Sequence, residues 1–81
     1  MIRMIEPNAG EVYRHYKRGG DYKIVCLAVI EATGEKCVVY EALYPEAEER
    51  FWIRPLADFC MEVEWEGKLV PRFKRVGAVF S

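Results

Sequence analysis

Apolar and polar positions alternate along most of this chain with a period of two, and the alternation is cleanest near its end. Met61, Val63 and Trp65 alternate with Glu62, Glu64 and Glu66, which predicts a half-buried strand with a glutamate stripe on its open side. Glu66-Gly67-Lys68 reads as the turn that follows. A three-residue loop there sets Trp65 against Leu69, Met61 against Phe73 and Glu62 against Arg72, matching apolar to apolar and acid to base. Pro71 confines the returning run to an edge strand or an extended arm. Residues 77–81 read as a tail.

Further back, residues 22–30 form the most apolar run, nine residues of which Ile24, Val25, Val29 and Ile30 are β-branched. That favours a strand buried on both faces over a helix. Residues 31–35 make a hairpin loop with Gly34 at the left-handed position. Residues 36–44 return as a strand, with Val38, Tyr40, Ala42 and Tyr44 on one face. Residues 45–49 are an exposed acidic loop without weight in the core. Residues 11–17 alternate less cleanly. Val12, Arg14 and Tyr16 share one face, while Tyr13, His15 and Lys17 share the other. Neither face is plainly apolar, which predicts an edge strand or one with an open face. Gly19 and Gly20 supply the turn after it. Pro7-Asn8-Ala9-Gly10 is turn chemistry at the end of a partly ordered lead-in.

The chain is organised around residues 51–59, where the pattern changes. Phe51-Trp52-Ile53-Arg54 has the composition of a strand. Pro55 cannot donate to a ladder and holds Arg54 extended. Leu56 and Phe59 then share one side of a single helical turn. The whole is expected to be all-β: a small five- or six-stranded SH3-like barrel with one short helical turn, an OB-like barrel being the alternative. It forms one domain over residues 1–81, with an ordered core at about 10–76.

Composition narrows the classes. The 81 residues are 52% hydrophobic and 31% charged, as in a folded domain rather than a disordered one. Net charge is −1, so the molecule as a whole does not attract nucleic acid. Basic residues cluster at 14–23 and 68–75, with the acidic run of Glu46, Glu48 and Glu49 between them. No run approaches the ~20 apolar residues of a membrane span, and no signal peptide is visible. Cys26, Cys37 and Cys60 form no CxxC pair, which reads as three reduced, mostly buried thiols in a cytoplasmic protein. Cys26 and Cys37 fall on neighbouring predicted strands, leaving a disulfide open.

Four stretches, in order, carry a resemblance. They are Tyr13-Arg14-His15-Tyr16-Lys17, Val39-Tyr40-Glu41-Ala42-Leu43-Tyr44, Trp52-Ile53-Arg54-Pro55-Leu56 with Phe59, and Gly67-Lys68-Leu69-Val70-Pro71-Arg72-Phe73. Through them the chain resembles, over about residues 10–73, the small bacterial family known as domain of unknown function 1653. The matching positions are Tyr13, His15, Lys17, Tyr40, Tyr44, Trp52, Arg54, Pro55 and Phe59. Arg18 departs from the family pattern, which passes from Lys directly to Gly. The resemblance implies a short bacterial domain and brings no activity with it.

Candidate chemistry is sparse. One histidine and three scattered cysteines lack the paired spacing of a zinc site, and no cofactor is expected. Ser81 is the only serine, so serine catalysis is excluded. No glycine-rich phosphate loop is present. His15 shares a face with Tyr13 and Lys17, and that face is expected to carry positive potential. Tyr40, Tyr44 and Trp52 are aromatic candidates for a binding groove. The expected function is a non-enzymatic binding or adaptor module. Its anionic ligand would be nucleic acid, an acidic peptide or a small anion, held by Tyr13, His15, Lys17, Tyr40 and Arg54. The alternative is an accessory enzyme with His15 as acid or base. A nucleic-acid or protein partner fits the first reading, and no membrane is implied.

Overall fold

The structure is a computed structural model that describes residues 6–17 and 19–79. The strands are β1 (Glu11–His15), β2 (Asp21–Val29), β3 (Lys36–Ala42), β4 (Phe51–Pro55), β5 (Glu62–Trp65), β6 (Lys68–Pro71) and β7 (Phe73–Ala78), with one helical turn, α1 (Leu56–Phe59), after β4. Five strands form an antiparallel sheet in the order β4-β3-β2-β1-β7, and β5 pairs with β6 in a separate ribbon. The all-β architecture with one short helical turn is as expected. The strand count is seven rather than five or six. Among the described residues no ladder joins β4 to β7.

β1 is an interior strand and not an edge, because β7 returns to pair with its second side. Its alternation holds: Tyr13 and His15 face the core, while Arg14 projects outward and pairs with Asp21 at 2.7 Å. A register shift lies between Val12 and Tyr13. β7 runs to Ala78, and Val79 N–H donates to Gly10 O, so residues 77–79 belong to the sheet rather than to a tail. At the other end, Pro7 is fully buried and Gly10 N–H donates to Ile24 O. The lead-in is anchored there, while residues 1–5 lie outside the described residues.

The inner face of the sheet presents Tyr22, Ile24, Val38 and Tyr40, which pack with Leu56, Phe59 and Phe73 into one core. Pro55 ends β4, and the turn it opens drops Leu56 and Phe59 onto that face, both buried. Aromatic rings dominate. Phe59 stacks on Phe73 at 4.2 Å between centroids, and Tyr13 and Tyr40 meet Phe59 at 5.3 and 5.6 Å. Tyr22 meets Tyr40 edge-on at 5.2 Å. Such pairs contribute roughly 0.5–1.5 kcal/mol each beyond the area they bury.

β2 is not buried throughout. Only Tyr22 and Ile24 are, and beyond the register shift between Ile24 and Cys26 the side chains of Val25, Leu27 and Val29 are exposed. Within β4, Phe51 and Ile53 face outward, as strand alternation requires once Trp52 turns in. The three cysteines form no disulfide with one another. Cys37 is buried, Cys60 half-buried and Cys26 exposed, so the expectation of mostly buried thiols fails at Cys26. Cys26 lies opposite Val39 and Cys37 opposite Ala28, which separates the two sulfurs by register.

The β5–β6 hairpin turns in two residues, not three. Glu66 and Gly67 both have positive φ, 52° and 79°, the signature of a type I′ turn. Trp65 therefore opposes Lys68, Val63 opposes Val70, and Glu62 opposes Pro71. The one-residue slip removes the expected Trp65–Leu69 pair and leaves Leu69 exposed.

Burial pushes the Tyr13 hydroxyl up to about 12, with the Glu11 carboxylate adding to it. A folded-state value above the ordinary ~10 means that the contribution of Tyr13 is intact below pH ~10 and is lost as pH rises from there towards 12. Chemical denaturation across that window is expected to show wild type losing more stability than Tyr13→Phe. Parallel curves would contradict the burial of this hydroxyl.

Candidate functional site

A cavity of about 390 Å³ opens between the inner face of the sheet and the 43–50 loop. Its size is at the lower end of small-molecule sites. The sheet supplies Tyr22 from β2, Tyr40 from β3, Trp52 and Arg54 from β4, and His15 from β1, with Phe73 beneath. The loop supplies Tyr44, Glu46, Ala47 and Glu48. Register explains the convergence: Tyr40 lies opposite both Ile24 and Trp52, and Tyr22 opposite Ala42, so all leave the sheet on the same side.

The loop is fastened at two points. Tyr44 Oη and Tyr22 Oη share a hydrogen bond of 2.7 Å, their rings meeting edge-on at 5.5 Å. Trp52 Nε1 donates to Glu49 O at 2.9 Å. The acidic loop is exposed, as expected, and is also a wall of the cavity. Gly20 makes the first contact fit, since a Cβ built there would stand 2.5 Å from Tyr44 Cε1.

Arg54 is the fixed charge of the site. Its Nε donates to Tyr40 Oη at 3.3 Å and one Nη to Asp58 at 2.6 Å, and its guanidinium lies 5.5 Å from the Phe73 centroid. Burial works against the charge, but the hydrogen bonds to Tyr40 and Asp58 outweigh it, so the guanidinium is held above its ordinary range. Arg72 reaches the same carboxylate at 3.5 Å. Two guanidinium groups thus share one carboxylate, leaving a local surplus of one positive charge. Among the described residues Arg54 Nη2 has no hydrogen-bond partner, although a guanidinium carries five N–H donors.

His15 packs against Phe73 at 5.2 Å and Tyr16 at 4.8 Å. Its Nδ1 accepts the Lys17 N–H at 3.2 Å. The neutral ring therefore carries its proton on Nε2.

These features can be set beside known proteins. The family model described as "Protein of unknown function (DUF1653)" matches residues 11–75. The chain belongs to this family. A crystal structure of a DUF1653 protein from Bordetella bronchiseptica is similar throughout: 37% identity, a TM-score of 0.80, and coverage of 98% of this chain and 99% of that one. No curated protein matches.

Of the positions that carry the DUF1653 resemblance, His15, Tyr40, Tyr44, Trp52 and Arg54 all line the cavity. Two of the residues expected at the site lie elsewhere. Tyr13 packs edge-on against Phe59 within the core, its hydroxyl 3.4 Å from Glu11. Lys17 is exposed beyond the end of β1 and lines no part of the cavity. Arg54, beside Pro55, also pins the corner through Asp58. Tyr22, Glu46, Glu48 and Phe73 were missed. Tyr22 was open to inference from its alternation with Ile24. The loop carboxylates carried no local signal. Among the described residues no group of three His, Cys, Asp or Glu could hold a metal ion, and no helix is long and apolar enough to cross a membrane.

Proposed function

We propose that this DUF1653 domain is a non-enzymatic binding module whose ligand is a small anion with an apolar or planar body. The anionic group meets Arg54, and the body lies against Tyr40, Trp52 and Tyr44. The observation that carries this reading is the Arg54–Asp58–Arg72 cluster, in which two guanidinium groups share one carboxylate and one of them, Arg54, lines an aromatic cavity. Charge-assisted hydrogen bonds to a fixed guanidinium are the strong kind. Two further observations support it. The Lys17 N–H occupies His15 Nδ1, so that nitrogen does not serve as a base, which favours holding a ligand over abstracting a proton. Glu46 and Glu48 at the rim would repel a polyphosphate chain, which favours a small anion over nucleic acid or an acidic peptide.

Calorimetric titration with phenyl phosphate tests this. Wild type is expected to bind, more weakly as salt rises. Arg54→Gln is expected to lose about tenfold or more in affinity while still melting cooperatively. Lys17→Glu, lying outside the cavity, should change binding much less. Equal affinities for wild type and Arg54→Gln across the salt series would overturn the reading.

A further inference from the structure

The cavity is lined by charges of both signs. Arg54, paired with Asp58, comes from β4. Glu46 and Glu48 come from the 43–50 loop, and among the described residues neither is paired with a base. This sets them apart from Glu11, Asp21, Glu41 and Asp58, each of which has a cationic partner within 4 Å. The rings of Tyr22, Tyr40, Tyr44 and Trp52 line the same cavity. The strand sets the scale of the charge separation. Trp52 is tied to the acidic loop at Glu49 O, and Arg54 follows it two residues later on the same face, about 7 Å along β4.

We infer that the ligand is dipolar: an organic ammonium and an anionic group joined by an apolar stem, the charges about 7 Å apart. The ammonium sits among the aromatic rings beside Glu46 and Glu48, where ring quadrupoles and carboxylates both favour a cation. The anionic group lies at Arg54, so this inference rests on the anion reading above and adds the second charge to it. An anion alone leaves the two loop carboxylates unused, and a cation alone faces the guanidinium.

Three probes with one stem separate the cases: 6-aminohexanoate, hexanoate and hexylammonium, each titrated by NMR against the whole chain. 6-Aminohexanoate is expected to bind about tenfold more tightly than either singly charged probe. The variant Glu46→Gln with Glu48→Gln should abolish this advantage over hexanoate, whose own binding should not weaken. Both glutamates are exposed, so the variant is expected to fold. Hexanoate binding as tightly as 6-aminohexanoate would overturn the dipolar ligand and leave the anion reading intact. An advantage of 6-aminohexanoate that survives the double variant would overturn the role of the loop carboxylates. Binding of hexylammonium alone, or of none of the three, would overturn both readings.

Discussion

Phe73→Ala is expected to destabilise the domain by about 3–5 kcal/mol. Phe73 is buried and stacks on Phe59 with the rings nearly parallel, at 6°. It also meets Tyr22 at 6.0 Å, Tyr40 at 5.6 Å and His15 at 5.2 Å. Truncation removes a ring that touches both the corner and the sheet, and it leaves a hole directly beneath the cavity. Small domains have roughly 5–15 kcal/mol in total, so the loss is a large fraction. At about 4–8 °C per kcal/mol for this chain length, the melting temperature should fall by some tens of degrees. Phe59→Ala should cost a similar amount. The two losses should not add, because the rings stack on each other. Urea denaturation of the two single variants and the double variant reads this. An unchanged midpoint for Phe73→Ala would mean that the core lies elsewhere.

Gly20→Ala is expected to cost about 1–3 kcal/mol through a contact with one side chain. Gly20 has no positive φ, in contrast to Gly19 at 71°, so backbone conformation is not its reason for being glycine. The reason is Tyr44, two of whose ring carbons would stand 2.5 and 2.7 Å from the new methyl group. Tyr44 cannot swing aside cheaply, because it is hydrogen-bonded to Tyr22 and packed edge-on against it. The substitution should therefore also weaken ligand binding by shifting the 43–50 loop. In a Tyr44→Ala background the same substitution should cost little. A double-mutant cycle measures the difference. Equal costs in both backgrounds would show that Tyr44 does not approach Gly20.

Much of this was legible in the chain because strand alternation and turn residues are local signals. The corner at 51–59 could be read from Pro55 and the Leu56–Phe59 spacing. The positive φ of Gly34, 76°, could be read from its place in the 31–35 loop. Tyr40, Trp52 and Arg54 were identified from aromatic content and the resemblance. What was not legible depends on distant partners. Of the two readings of β1, an edge or an open-faced strand, the edge failed because its second neighbour, β7, lies at the far end of the chain. The exposed half of β2 looked buried because apolar composition does not report where a covering layer stops. The β5–β6 register was missed by one residue because Glu66 was not read as a left-handed position. The loop glutamates looked merely solvated because their place at the cavity follows from Tyr44 and Trp52 holding the loop.

The central claim is that the aromatic cavity is where this domain binds, and its two tryptophans provide an internal control. Trp52 lines the cavity and hydrogen-bonds to the loop, whereas Trp65 sits on the β5–β6 ribbon against Tyr16 at 5.5 Å and outside the cavity. The most direct measurement follows both indole N–H resonances and the Arg54 Nε–H resonance by NMR during titration with phenyl phosphate. The Trp52 and Arg54 signals should shift together along one saturable curve while the Trp65 signal stays in place. A saturable shift at Trp65 with Trp52 and Arg54 unmoved would contradict the account.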